Sequence, residues 1–198
     1  MRQTVARLPV RSAPVDTGVP PGQLLGSLIG AIFGLVYVEV NAGPLPSPWA
    51  PVLRIAAGVA FAGLGVRLVL ARGSRSAARP SAGGGFRGSY WMVVAGEAAA
   101  IPAGAAVLTG PAGLSRAVVA WVSVVVGVHF LVLAVIWRLA LFRVLGTAIS
   151  VCGAVGLIAA AAGATPVVIA VTGGLLPGVL LLTAGYRGAT ALQPVTDR

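Results

Sequence analysis

The sequence predicts an all-α fold, a polytopic transmembrane bundle of six helices. Three observations carry that prediction. Residues 117–137 read AVVAWVSVVVGVHFLVLAVIW, a 21-residue run with no Asp, Glu, Lys or Arg and the only histidine of the chain, His129. An uncharged apolar run of that length is a candidate membrane-spanning helix, and it lacks the 3.6-period polar stripe of a soluble helix. The 198-residue chain is 58% hydrophobic with only 9% charged residues and a mean hydropathy of +0.97, where soluble domains carry roughly 25% charged residues. Finally, the net charge of +10 comes from arginine alone, and the arginines sit between apolar segments. That placement points to membrane orientation and contact with anionic lipid headgroups, and away from nucleic acid.

Residues 1–23 form a basic arm with Arg2, Arg7, Arg11 and four prolines. With the apolar run that follows, the arm mimics a secretory signal, and Val40-Asn41-Ala42 resembles a cleavage site. Glu39 immediately before it and the length of the arm argue against cleavage. Helix 1 is expected over 24–41, roughly 27 Å at 1.5 Å per residue. Its Gly26, Gly30 and Gly34 form a ladder of the kind that lets helices approach closely in lipid. A short Pro-rich loop leads to helix 2 (49–71). An arginine- and glycine-rich loop over 72–89 leads to helix 3 (90–109), which contains Glu97 and Pro102. After a turn over 110–116 comes helix 4, the run described above. Residues 138–143 are read as a connection, helix 5 as 144–162, a turn at 163–166, helix 6 as 167–186, and the polar tail as 187–198. The domain organisation is thus an arm (1–23), one membrane domain (24–187) and a tail (188–198).

With the N-terminus cytoplasmic, all but Arg54 and Arg116 of the 14 arginines fall on the inner side. The positive-inside rule then places both termini in the cytoplasm at the cell membrane. Trp49 and Trp121 near outer helix ends, and Trp91 and Trp137 near inner ones, suit an aromatic belt.

The two halves show a matching pattern. Gly58, Ala60 and Gly65 of helix 2 align with Gly146, Ala148 and Gly153 of helix 5. Gly30 and Gly34 of helix 1 align with Ser123 and Gly127 of helix 4, and helices 3 and 6 carry Pro102 and Pro177. A three-helix unit repeated after an odd number of crossings gives a 3+3 inverted repeat, an architecture common among transporters. The abundance of glycine and alanine produces such matches by chance as readily as by duplication.

Tyr90-Trp91-Met92-Val93-Val94 followed by Glu97, together with Trp121 followed by Val125-Val126-Gly127-Val128-His129-Phe130, resembles a family of small uncharacterised bacterial integral membrane proteins. The resemblance covers most of the helical region through two short motifs. It implies a six-helix bundle and brings no activity with it.

Ionisable groups inside membrane spans are costly and are functional candidates by default. Glu97 lies six residues beyond Trp91 and His129 eight before Trp137, roughly 9 and 12 Å from the same interface. They should meet at similar depth on consecutive helices, as a proton-handling pair lining a pathway or as a polar clasp. Glu39 and Arg54, at neighbouring outer helix ends, are expected to form an interfacial ion pair. Pro102 and Pro177 cannot donate a backbone hydrogen bond, so the carbonyls of Ala98 and Gly173 lose their α-helical partners and both helices should be irregular there.

Cys152 excludes an internal disulfide, and no CxxC or HxxxH spacing offers a metal site, so no metal or cofactor is expected. The set of one histidine, one cysteine and two intramembrane glutamates is too thin for hydrolysis or group transfer. The leading expectation is therefore a non-enzymatic transporter or channel for a small solute or ion, with Glu97 and His129 lining the pathway. The alternative is a structural or accessory subunit. Small-residue packing also suits a homo-oligomer or a partner membrane protein.

Overall fold

The computed structural model describes residues 21–73 and 88–190. The described chain is all-helical. It comprises α1 (Pro21–Asn41), α2 (Trp49–Gly73), α3 (Gly88–Thr109), a 3-10 turn (Ser115–Ala117), α4 (Val118–Trp137), α5 (Ala140–Ala161), α6 (Pro166–Ala170), a π-helical turn (Val171–Leu175) and α7 (Leu176–Thr190). The last three form one continuous span, so the bundle has six. Five of them are long and apolar enough to cross a membrane. The remaining helix, α1, carries an apolar stretch over Gly26–Asn41, and its 21 residues reach about 31 Å. Large apolar side chains such as Met92, Val135, Val144 and Ile158 stand about 70% exposed around the outside, a surface suited to lipid and untenable in water. The chain is an integral membrane protein.

Three boundaries differ from the sequence expectation by three residues or more. Pro21 to Gln23, read as part of the arm, already belong to α1, as proline is well tolerated in a first helical turn. The connection expected over 138–143 shrinks to Arg138 and Leu139. Arg138 adopts the left-handed conformation (φ 56°) and closes α4, and α5 begins at Ala140. Arg143 lies on an exposed face of α5 and so does not break the helix. The last helix continues through Arg187 to Thr190, beyond the expected start of the tail. The rest of the basic arm, most of the arginine-rich loop and residues 191–198 lie outside the described residues. At the α5–α6 turn, Gly163 takes φ 75°, and the Thr165 hydroxyl accepts a hydrogen bond from Val168 N–H. With Pro166 in the first turn, that is a standard helix start.

Two close-packed pairs build the centre, α1 with α7 and α4 with α5, joined through the π turn. Glycines set both contacts. A Cβ on Gly34 would come 2.7 Å from Leu182 N and 2.8 Å from Gly178 O, and one on Gly153 would come 2.6 Å from Val124 N. Of the expected ladder in helix 1, only Gly34 is packed this tightly; Gly26 has open space. Helix α2 leans on α1 and α7, with Leu64 and Leu68 buried, and Arg67 stacks 5.6 Å from the Tyr186 ring. Helix α3 packs against α4 and has no buried side chain among those described.

The aligned halves do not pack alike. Gly146 and Gly153 are wedged against α4, whereas their counterparts Gly58 and Gly65 meet nothing within 4 Å. Pro102 sits exposed in an unbroken α3, whereas Pro177 is fully buried behind the π turn. The expected irregularity therefore holds for helix 6 and not for helix 3.

Candidate functional site

Successive Cβ vectors four residues apart share a helix face. In α3, Glu97 is two turns before Ala105 and lies on the side that meets α4. In α4, His129 is two turns beyond Trp121, which also faces α3: its indole N–H donates to the Ala100 carbonyl at 3.0 Å. Trp121 is therefore an interhelical tie rather than the lipid-facing belt residue expected of it, whereas Trp49 and Trp91 are well exposed.

That shared face brings the two intramembrane groups together. His129 Nδ1 lies 2.8 Å from Glu97 Oε2, with side chains 14% and 22% exposed. The ring N–H does not aim at the oxygen, so the contact has ion-pair distance without in-line hydrogen-bond geometry, and Nδ1 has no other partner among the described residues. Reacting hydrogen bonds are often poorly aligned in resting sites and tighten on loading. A carboxylate and an imidazole at this distance can hold one proton between them and pass it on.

A second polar group lies deeper, and the sequence reading missed it. Ser123 of α4 is fully buried, and its hydroxyl donates to the Gly173 carbonyl at 2.6 Å and lies 3.3 Å from the Tyr37 hydroxyl of α1. Gly173 sits in the π turn, and the residue four further on is Pro177, which has no N–H to give it. The serine supplies the donor that the proline withholds. Asn41, one turn above Tyr37, donates its side-chain amide to the Tyr37 carbonyl at 2.8 Å and rests on Gly174. Such irregular backbone at membrane depth is stable only where other groups satisfy it. The freed carbonyl was readable from Pro177; the identity of its partner was not, because one serine in a 20-residue apolar helix carries no periodic signal.

Glu39 and Arg54 are brought together at the helix ends, with Arg54 Nε 3.7 Å from Glu39 Oε2 and 3.2 Å from the Glu39 backbone carbonyl; both side chains are 43% exposed. Beside them, a half-open cleft of about 180 Å³ is lined by Asn41, Pro44, Arg116, Val119, Pro166, Ile169 and Ala170. No cluster of three metal-ligating side chains occurs among the described residues. No family model, curated protein or solved structure matches the chain.

Proposed function

We propose that the protein moves protons, alone or coupled to a small solute, across the cell membrane, with Glu97 and His129 as the proton-binding pair. The single observation that carries this reading is the 2.8 Å approach of two titratable groups inside adjacent apolar spans, each with part of its surface uncovered. Lipid-embedded helices rarely carry such groups without a use for them. The polar group of Tyr37, Ser123 and the π turn supports the same reading, since broken helices at mid-membrane serve transport sites in other architectures. The arginine distribution supports an orientation with both termini cytoplasmic, which makes the Asn41 end the outer one.

One observation favours a second reading, that of an accessory subunit. Helix α3 has no buried side chain among those described, leaving a full helix face for a partner helix to cover.

The test is proton flux into vesicles reconstituted with the full chain and loaded with a pH-sensitive dye. Protein-dependent flux under an imposed pH gradient should be lost in Glu97→Gln and in His129→Asn. Flux unchanged by both substitutions would overturn the proposal. So would its absence both alone and with a panel of small organic acids, amines and inorganic ions, which would leave the accessory reading in its place.

A further inference from the structure

The cleft at the Asn41 end combines features that the proton pair does not explain. Its one charged wall residue is Arg116, exposed in the 3-10 turn that leads into α4. Both described carboxylates are engaged elsewhere, Glu39 by Arg54 and Glu97 by His129, so no acidic side chain among the described residues balances Arg116. The start of the 20-residue α4 brings the positive end of a helix dipole to the same side, offset by the negative end of α1 at Asn41, so Arg116 supplies the net positive charge of the wall. Asn41 is held rigidly, 8% exposed, with one amide N–H committed to the Tyr37 carbonyl; a primary amide has a second N–H to offer. The remaining wall is apolar: Pro44, Val119, Pro166, Ile169 and Ala170. A volume of about 180 Å³ matches roughly six waters at ~30 Å³ each, room for a head group and a few carbons.

We propose that this cleft binds a small amphiphilic anion, a carboxylate or phosphate head on a short apolar body, with Arg116 pairing the head, Asn41 adding a hydrogen bond and Val119, Ile169 and Ala170 covering the apolar part. This goes beyond the proton-pair reading and does not depend on it. The same chemistry is offered by a free organic anion and by the headgroup region of an acidic phospholipid, and the test separates them.

The full chain is placed in nanodiscs of phosphatidylcholine and titrated with 4,4,4-trifluorobutyrate, followed by fluorine NMR. Saturable binding is expected. It should weaken roughly tenfold or more in Arg116→Gln, the loss expected for one charge-assisted hydrogen bond, should be partly kept in Arg116→Lys, and should be blocked by Val119→Phe, which fills the cleft. Phosphatidylglycerol nanodiscs then distinguish the sources. An unchanged titration marks a free anion as the occupant. Displacement of the probe, with phosphatidylglycerol retained by the wild type and lost from Arg116→Gln in native mass spectrometry, marks a lipid. The proposal is overturned if neither probe nor lipid is held, or if both are held equally by Arg116→Gln and Val119→Phe. Because Glu97 and His129 lie outside the cleft, Glu97→Gln should bind the probe as the wild type does, whatever becomes of proton flux.

Discussion

Ser123→Ala tests how the sixth span tolerates its own break. The hydroxyl donates to the Gly173 carbonyl at 2.6 Å and lies 3.3 Å from the Tyr37 hydroxyl, and no part of Ser123 is exposed, so water cannot replace it. Interhelical hydrogen bonds in membranes contribute about 0.6 kcal/mol on average and up to about 1.7. Two contacts, one of them short, place Ser123→Ala in the upper part of that range, at about 1–1.7 kcal/mol. Pro177→Ala returns an N–H four residues after Gly173, in α-helical register with the carbonyl that Ser123 now serves. In that background Ser123→Ala should cost only about 0.5 kcal/mol, leaving a coupling well above the ~0.3–0.5 kcal/mol additivity of independent sites. The assay is a four-protein cycle by reversible SDS unfolding in mixed micelles. Equal costs in the two backgrounds would refute the reasoning, because the serine would then not be standing in for the backbone donor.

The same titration tests three further contacts. Gly153→Val should destabilise by about 1–3 kcal/mol, since its Cβ has no room against α4, whereas Gly65→Val should stay within about 0.5 kcal/mol despite the matching sequence position. Equal effects at the two glycines would restore the equivalence of the halves. Trp121→Phe should cost about 0.6 kcal/mol by removing the indole donor to the Ala100 carbonyl; no change would mean that the α3–α4 tie is idle. Glu39→Gln should cost at most about 0.5 kcal/mol, because the pair is exposed and Arg54 keeps its bond to the Glu39 backbone carbonyl. A loss above about 1 kcal/mol would show that the pair is stronger than its exposure allows.

Hydropathy alone located the spans, because a lipid-facing helix has no polar stripe to obscure its length. Where it misplaced the start of α5, Arg143, exposed on that helix, was read as part of a loop. The meeting of Glu97 with His129 was legible from depth, counted in residues from tryptophans on adjacent antiparallel helices. The Tyr37–Ser123–Gly173 group was not, since it joins α1, α4 and the π turn, segments far apart in the chain, through groups that are individually common in membrane helices. The glycine spacing of helices 2 and 5 misled for the opposite reason: equal spacing says nothing about whether a neighbour is present to use it.

The most direct test of the proton-pair account is whether water reaches the pair. Cys152→Ala removes the one native thiol, and Glu97→Cys and His129→Cys are then made singly in that background. Sealed vesicles of known orientation are exposed to a membrane-impermeant thiol reagent, with cysteines in loops on each side as controls. The account predicts labelling at both positions from at least one side. Protection of both positions in folded protein whose loop controls label would contradict it, and would mark Glu97 and His129 as a dry clasp between α3 and α4.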